Sequence, residues 1–313
     1  MTQNVTIFGI HLKLDPIAFT LPIGKNGWDI YWYGIIIAAG FLLAIIYAYK
    51  NADRFNINID RMLDVILVTT PVAILCARTY YLIFDGEKLE SFSDFFGFGN
   101  SGFTGLAIYG GVIGTFGCGM LMCKLRKVKV LDMFDLAAIG FLIGQGIGRW
   151  GNFMNQEAFG GPTGSSFFGM TSENVVRDFA MKGYDPTALA HPCFLYESIW
   201  CIAGFFVLNH FSKKRKYSGQ IILMYCAWYG FGRGFIELLR TDSLMLGPLK
   251  VSSLLSFLIC IGSIITMLCL HKRAKNKAEN AEYESVFEED NINKNTEITE
   301  NTTKEEEENG SDT

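Results

Sequence analysis

Long apolar windows separated by short polar connections make up most of this chain. A helix that crosses a lipid bilayer needs about 20 predominantly apolar residues. Seven windows approach or exceed this length, so the pattern predicts an all-α polytopic membrane protein with about seven transmembrane helices. The predicted spans are Trp28–Tyr49, Leu63–Phe84, Thr104–Cys123, Asp132–Trp150, Phe194–Phe211, Gly219–Leu239 and Lys250–Leu270.

Basic residues follow every second predicted span. Short cytoplasmic loops are enriched in Lys and Arg, so this alternation predicts that the N-terminus lies outside and the C-terminus in the cytoplasm. The clusters after spans one, three, five and seven are Lys50, Arg54 and Arg61; Lys124, Arg126, Lys127 and Lys129; Lys213, Lys214, Arg215 and Lys216; and Lys272, Arg273, Lys275 and Lys277.

The segments outside the spans divide the chain further. Residues 1–27 are expected on the outer surface as strand or interfacial segment, before a transmembrane domain at 28–270. The connection at about 151–192 is long enough for a small extracytoplasmic cap. The loop Asp85–Phe103 holds several phenylalanines and is expected to lie in the outer interface or to cover a cavity.

Net charge separates the C-terminal tail from the rest. From Glu279 onward thirteen acids face two lysines, a net charge of −11, which leaves +7 for the rest of a chain whose total is −4. Clustered like charge and low hydrophobicity predict that 271–313 is a disordered cytoplasmic tail, first basic and then acidic. The eight cysteines lack metal-ligand spacing and are interpreted as small apolar fillers.

Several polar side chains fall inside the predicted spans. With the span directions above, Arg78, Tyr109, Arg149, Asn152 and the residues of span six all map to the outer leaflet, so every buried charge is expected at that one level. In span six Tyr229, Arg233 and Glu237 follow at i, i+4 and i+8 and therefore share a helix face. The glycines near them are expected mainly to pack helices, and those around Arg233 could also leave room for acyl chains.

An arginine inside the bilayer is costly unless an anion or a water-filled cavity meets it. Arg149 could instead snorkel to the interface, and the Arg233–Glu237 pair could simply lock two helices together. Taken together, however, Arg78, Arg149 and Arg233 outnumber the acids at this level, and the planar guanidinium suits phosphate. The charges therefore favour binding of a phospholipid head group.

One block of sequence closely resembles a known family signature. Residues Gly148-Arg149-Trp150-Gly151-Asn152-Phe153-Met154-Asn155-Gln156-Glu157-Ala158-Phe159-Gly160 resemble the signature of the bacterial phosphatidylglycerol–prolipoprotein diacylglyceryl transferase family. Further matches, in the family's order, are Trp32-Tyr33-Gly34, Tyr109-Gly110-Gly111, His191-Pro192 with Leu195-Tyr196-Glu197, and Tyr229-Gly230 with Arg233 and Glu237. The resemblance covers Trp28 to about Leu270 and leaves out the tail.

The resemblance implies an enzyme of the bacterial plasma membrane that acts toward the outer leaflet. It would transfer the diacylglyceryl group of phosphatidylglycerol to the lipobox cysteine of a prolipoprotein signal peptide and release glycerol phosphate, with no metal, other cofactor or nucleic acid involved. Arg149 and Arg233 would hold the phosphate, with Asn152, Glu157 and Tyr33 nearby and Tyr229 shaping the pocket. The charge argument adds Arg78 and Glu237 as candidates for lipid binding.

The chain departs from the family pattern at two places. Tyr109 stands where some members have His before Gly-Gly, and Cys193-Phe194 replaces Ser/Thr-Gln before Leu-Tyr-Glu. The general base is thus left open. Because a tyrosine has a pKa near 10, Tyr109 is expected to position or relay a proton, while neutralisation of the phosphate provides most of the rate.

Other classes of protein could also carry intramembrane arginines. A transporter or channel with an anion site is one, and a membrane scaffold is another. Transporters often consist of two related halves that meet at the bilayer midplane. Here the predicted charges gather at one leaflet, and spans one to three do not mirror spans five to seven, which favours the enzyme.

Overall fold

The computed structural model describes residues 2–22, 27–85, 105–241, 245–246, 249–273 and 276, and the protein is mainly helical. The predicted aromatic loop after Asp85 and the tail from 277 onward lie outside the described residues. The chain divides into two compact units, Met1–Ile264 and Ile265–Thr313. Within the second unit, the structure describes residues 265–273 and Asn276.

Each predicted span corresponds to a helix. The described helices are α1 (Trp32–Asn51), α2 (Ile59–Asp85), α3 (Ile108–Leu125), α4 (Val130–Asn155), α5 (Glu173–Lys182), α6 (Cys193–Ser212), α7 (Gln220–Leu239) and α8 (Val251–Arg273). The prediction was wrong at two boundaries. Residues Trp28–Tyr31 form a strand, and α4 continues past Trp150 to Asn155 into the region expected to be cap.

Six helices of the described chain are long and apolar enough to cross a membrane: α1 to α4, α6 and α8. Large apolar side chains on α1, such as Leu42 at 58% exposure, face outward, as expected for contact with lipid rather than water. The 20-residue α7 is not among the six, and it contains Arg233 and Glu237. The C-terminus of α7 lies beside the start of α6, because the Gly161 N–H donates to the Leu239 carbonyl and the Gly160 N–H donates to the His191 carbonyl. The two helices are therefore antiparallel.

Short strands gather at this same end of the bundle. The strands are β1 (Gln3–Ile7), β2 (Ile10–Leu14), β3 (Ile17–Leu21), β4 (Trp28–Tyr31), β5 (Met170–Ser172), β6 (Met245–Leu246) and β7 (Leu249–Lys250). They form an antiparallel sheet in the order β2-β1-β5 and two hairpins, β3-β4 and β6-β7. The N-terminal segment therefore pairs with the segment between α4 and α6, and this cap has its own apolar core around Val5, Phe153 and Phe179.

Glycines allow close helix contacts in two places. A Cβ on Gly110 would lie 2.3 Å from the carbonyl oxygen of Cys76, so α3 packs directly on the backbone of α2. On α6 and α7, Trp200 and Trp228 stack with centroids 4.4 Å apart, and each indole N–H donates to the other residue's carbonyl. A Cβ on Gly232 would lie 2.1 Å from the Trp200 Nε1 atom. The idea that the glycines around Arg233 leave room for acyl chains is wrong, because protein atoms fill that space.

A second group of buried charges lies at the opposite end of α4. The buried carboxylates of Asp132 and Asp135 both pair with Arg215, at 2.7 and 2.9 Å. Backbone N–H groups of Gly219 and Ile222 also donate to Asp135. Asp132 precedes Arg149 by 17 residues, which is about 25 Å of helix. The prediction that all buried charges share one level is therefore wrong.

Candidate active site

The carboxylate of Glu197, on α6, joins the two arginines that the sequence singled out. Its Oε1 accepts hydrogen bonds from Arg149 Nη2 at 2.6 Å and from the Tyr229 hydroxyl at 3.0 Å, and its Oε2 accepts from Arg233 Nη1 at 3.0 Å. Arg233 also pairs with Glu237, four residues along α7, at 2.5 Å. The Glu197 side chain is only 2% exposed. The structure thus brings Arg149, Tyr229, Arg233 and Glu237 into one cluster.

The charge balance of this cluster differs from the sequence argument. That argument counted three arginines and inferred an excess of positive charge, but it did not include Glu197. With Glu197 between Arg149 and Arg233, much of their charge is already balanced. Arg78 lies on α2, where its Nη1 donates to the Gly105 carbonyl and its guanidinium lies over the Tyr81 ring.

The end of α4 positions the polar residues beside Arg149. The helix ends at Asn155, the next residue Gln156 adopts the left-handed conformation with φ +51°, and the Glu157 N–H donates to the Asn152 carbonyl. This turn directs Glu157 back to the helix, where its Oε1 accepts from Asn152 Nδ2 at 2.8 Å. Asn152 Oδ1 in turn accepts from Arg149 Nη1 at 3.1 Å. Asn152 and Glu157 therefore extend the cluster.

Two further contacts fix α4 against its neighbours at this level. The Trp150 indole donates to the Ser198 hydroxyl, which donates to the Gly146 carbonyl at 2.7 Å, so the residue after Glu197 is held on α4. Gly151 lies under the Tyr33 ring, and a Cβ there would lie 2.8 Å from that ring. The close approach explains why glycine occupies this position.

An elongated cavity of about 470 Å³ opens beside Arg149. Its polar end is formed by Tyr33, Gln145, Arg149 and Asn152, and the rest of its wall is largely apolar. The remaining lining residues come from α1 to α4: Ile37, Phe41, Ala44, Ile45, Ala48, Ile66, Ile108, Met133, Leu136, Ala137, Gly140, Phe141, Gly144 and Gly148. A cavity with a charged end and an apolar wall suits an amphipathic ligand.

Tyr109 lies on α3, outside this cluster. Its side chain is 64% exposed, and its ring centroid lies 6.2 Å from that of Tyr80. Among the described residues it has no hydrogen bond to Glu197, Arg149 or Arg233. Its neighbour Ile108, the first residue of α3, lines the cavity, so Tyr109 lies near the cavity wall.

His191 belongs to the cap junction rather than to the arginine cluster. Its Nδ1 lies 3.1 Å from the Tyr196 hydroxyl, and its backbone pairs with Gly160 and Gly161. Partial burial lowers the pKa of His191, because the charged form loses hydration. A Cβ on Gly160 would come within 2.8 Å of both His191 and the Leu239 carbonyl, so this glycine lets the segment after α4 pass between the start of α6 and the end of α7.

Sequence reasoning missed the central role of Glu197. The signal was available, because Glu197 is part of the Leu195-Tyr196-Glu197 match and is an acid near the start of an apolar span. Gln145 was also not proposed as a site residue, although it is an amide one helical turn before Arg149.

Arg149 retains hydrogen-bonding capacity toward a ligand. A guanidinium carries five N–H donors, and the Asn152 and Glu197 bonds use one N–H each on Nη1 and Nη2. Within the described part of the chain, Arg149 Nε makes no hydrogen bond. An anionic group at the cavity mouth could therefore bind Arg149 while Glu197 keeps the guanidinium in place.

Comparison with known proteins gives a consistent result. Residues 16–269 match the family model described as prolipoprotein diacylglyceryl transferase. A relative named phosphatidylglycerol–prolipoprotein diacylglyceryl transferase from Clostridioides difficile (strain 630) is 41% identical over 84% of this chain and 98% of its own length. Similar relatives come from Clostridium perfringens (strain 13 / Type A), at 40% identity over 84% of this chain and 97% of its own, and from Bacillus cytotoxicus, at 39% over 83% and 93%.

Proposed function

The chain belongs to the prolipoprotein diacylglyceryl transferase family and is a transferase, and we propose that it acts on phosphatidylglycerol and prolipoproteins. The diacylglyceryl group passes to the thiol of the lipobox cysteine in the signal peptide. A thioether forms and glycerol phosphate is released, as the first step of lipoprotein maturation.

One observation carries this proposal: Arg149, held by Glu197 and Asn152, lies at the polar end of the apolar cavity. A phospholipid placed with its phosphate at Arg149 would extend its acyl chains along the groove. In this pose Arg233 reaches the same phosphate from α7, and Tyr33, Asn152, Glu157, Tyr229 and Glu237 shape the head-group site. Arg78 remains a candidate for lipid binding from the α2–α3 side.

The proposed step is a displacement at the glyceryl carbon. The cysteine sulfur forms the new C–S bond as the C–O bond to phosphate breaks, and the phosphate leaves with one additional negative charge. Fixed guanidinium donors in a site with little water stabilise this developing charge. The thiol proton is lost in the same step and leaves the site for the surrounding water, and Tyr109 is proposed to position or relay it.

The membrane arrangement forms part of the proposal. Seven helices cross the bilayer, with α7 as the sixth span because it runs antiparallel to α6 and ends beside its start. The basic loops face the cytoplasm, so the N-terminus, the cap and the arginine cluster face outward. The site then opens toward the outer leaflet of a bacterial plasma membrane.

The direct test uses the purified protein in vesicles that contain labelled phosphatidylglycerol and a lipobox peptide. We expect the peptide to gain the diacylglyceryl mass through a thioether, and Arg149→Ala to lower the rate at least 100-fold. The matched control is Arg126→Ala, because Arg126 is an exposed arginine in a surface pair with Asp64. Normal transfer by Arg149→Ala would refute the proposed site, and nearly full turnover by Tyr109→Phe would remove Tyr109 from the mechanism.

A further inference from the structure

Gln145 is a half-buried amide at the polar end of the cavity, in addition to the arginine cluster. It lies on α4 four residues before Arg149 and lines the same cavity. Its Nε2 donates to the Tyr225 hydroxyl at 2.8 Å. Its Oε1 is buried and has no hydrogen-bond partner in the described part of the chain. One end of the amide is thus held by α7, and the other is unsatisfied.

The buried Oε1 atom of Gln145 without a hydrogen-bond partner needs a physical explanation. Buried polar groups are nearly always hydrogen-bonded, and one left without a partner is destabilising. Tyr225 is itself fixed, since its ring stacks on Tyr229 with centroids 5.7 Å apart and planes at 3°. Tyr229 bonds Glu197. The amide therefore belongs to a rigid chain of contacts that leads to the arginine cluster.

The depth of Gln145 matches one part of a phospholipid. Residues i and i+4 share a helix face and lie about 6 Å apart along the axis. A glycerophospholipid with its phosphate at Arg149 would have its glyceryl esters about one helical turn deeper, at the level of Gln145. The ester carbonyl oxygens are the polar atoms of the lipid at that depth, and they only accept hydrogen bonds.

On the basis of the proposed function, we propose that the Gln145 amide binds a glyceryl ester carbonyl of the lipid and so positions the diacylglyceryl group for transfer. The amide can present its NH₂ group to the ester because the Tyr225 hydroxyl both donates and accepts. A rotation of the amide by half a turn keeps the bond to Tyr225 and directs Nε2 into the cavity. Gln145 would then distinguish diacyl lipids from lipids without ester carbonyls.

A purely structural role is the competing explanation, in which Gln145 only ties α4 to α7. The two roles predict different effects of the lipid's ester groups on kcat/KM. The test compares phosphatidylglycerol with its dialkyl-ether analogue, which keeps the phosphate and the reacting carbon but lacks the ester carbonyls. A neutral hydrogen bond of about 1 kcal/mol corresponds to a preference of about fivefold in kcat/KM for the ester lipid.

We expect wild-type protein to show this preference and Gln145→Leu to lose it, with a loss of about fivefold on the ester lipid and little change on the ether lipid. Tyr225→Phe removes the same interhelical bond but keeps the amide, so it should keep a preference for the ester. Gln145→Met, which retains the shape of the side chain, gives the same comparison if the leucine variant does not fold.

The outcomes separate the two proposals. Absence of thioether product from either lipid with wild-type protein would refute the proposed function. Transfer without an ester preference, or an unchanged preference in the Gln145 variants, would refute the role of Gln145 and leave the transferase activity intact. If the Gln145 and Tyr225 variants lose the same amount of activity on both lipids and keep the wild-type preference for the ester lipid, the amide acts only as a contact between helices.

Discussion

Replacement of Glu197 by glutamine tests whether this carboxylate organises the site. The variant keeps the size of the side chain and loses its charge. One oxygen can still accept from an arginine or from Tyr229, but the NH₂ group must face a donor, because both carboxylate oxygens accept from arginines in the structure. Glu197→Gln therefore places a donor against a guanidinium inside the bundle.

The magnitude follows from the buried position of this contact. The Glu197 side chain is 2% exposed, and removal of one member of a buried ion pair costs about 3–5 kcal/mol. Each 1.36 kcal/mol of lost transition-state stabilisation is a factor of about ten in rate. If most of the loss disturbs the alignment of Arg149 and Arg233, kcat should fall by about 100-fold or more. The KM for the anionic lipid should not rise, because the site becomes more positive.

The assay is steady-state transfer from labelled phosphatidylglycerol to a lipobox peptide, with kcat and KM measured separately. Glu237→Gln removes the ion pair with Arg233 and leaves the Glu197 contacts in place, so its effect should be smaller. Asp64→Asn, in an exposed surface pair, should leave both constants unchanged. A Glu197→Gln variant with kcat within about threefold of wild type, or with a raised KM alone, would contradict this account of the cluster.

Two further predictions concern stability. Gly232→Ala should destabilise the protein by about 1–3 kcal/mol, because the added Cβ overlaps the Trp200 indole. Gly117→Ala should not destabilise it, because no atom of the described chain lies within 4 Å of the added Cβ. Thermal unfolding of the two variants measures the difference. Burial lowers the pKa of His191 in the folded protein. Below about pH 6.5 the unfolded state therefore binds more protons than the folded state, and the free energy of unfolding should decrease as the pH is lowered. His191→Gln should flatten the dependence of the melting temperature on pH between about 7.5 and 5.5, and an identical slope in variant and wild type would exclude this origin.

The helices could be predicted from the sequence because each apolar window is a local property. The same is true of the Tyr229, Arg233 and Glu237 face, since positions i, i+4 and i+8 align on any helix. The bond between Arg233 and Glu237 is present in the structure. Local spacing was sufficient for both predictions.

Contacts between distant segments were not predictable in this way. Strand β1 pairs with β5, so Val5 lies opposite Ser172, and nothing in either segment specifies its partner. Glu197 bonds Arg149 and Arg233 because α6 is rotated to face both α4 and α7. That rotation depends on packing such as the Trp200–Trp228 stack and the Ser198–Gly146 bond, which a single sequence does not reveal.

The Asp132, Asp135 and Arg215 cluster was missed for a related reason. Arg215 was counted among the loop residues that set the orientation, and this assignment hid its role as a partner for buried acids. In the structure its side chain is only 10% exposed and its guanidinium lies over the Phe55 ring. A basic residue in a loop can therefore serve the folded core as well as the membrane orientation.

The position of Glu197 between the arginines has a consequence for catalysis. A site of two unbalanced guanidinium groups would bind the phosphodiester tightly before reaction, and such ground-state binding does not accelerate the chemical step. Glu197 balances part of that attraction and is fixed by its three donors, while further N–H groups of Arg149 remain for the ligand. Because the leaving phosphate gains one negative charge as the C–O bond breaks, those donors interact more strongly with the transition state than with the bound lipid. If Arg149 holds the lipid phosphate as proposed, the buried carboxylate serves the reaction by fixing the guanidinium so that its remaining N–H groups face the leaving phosphate.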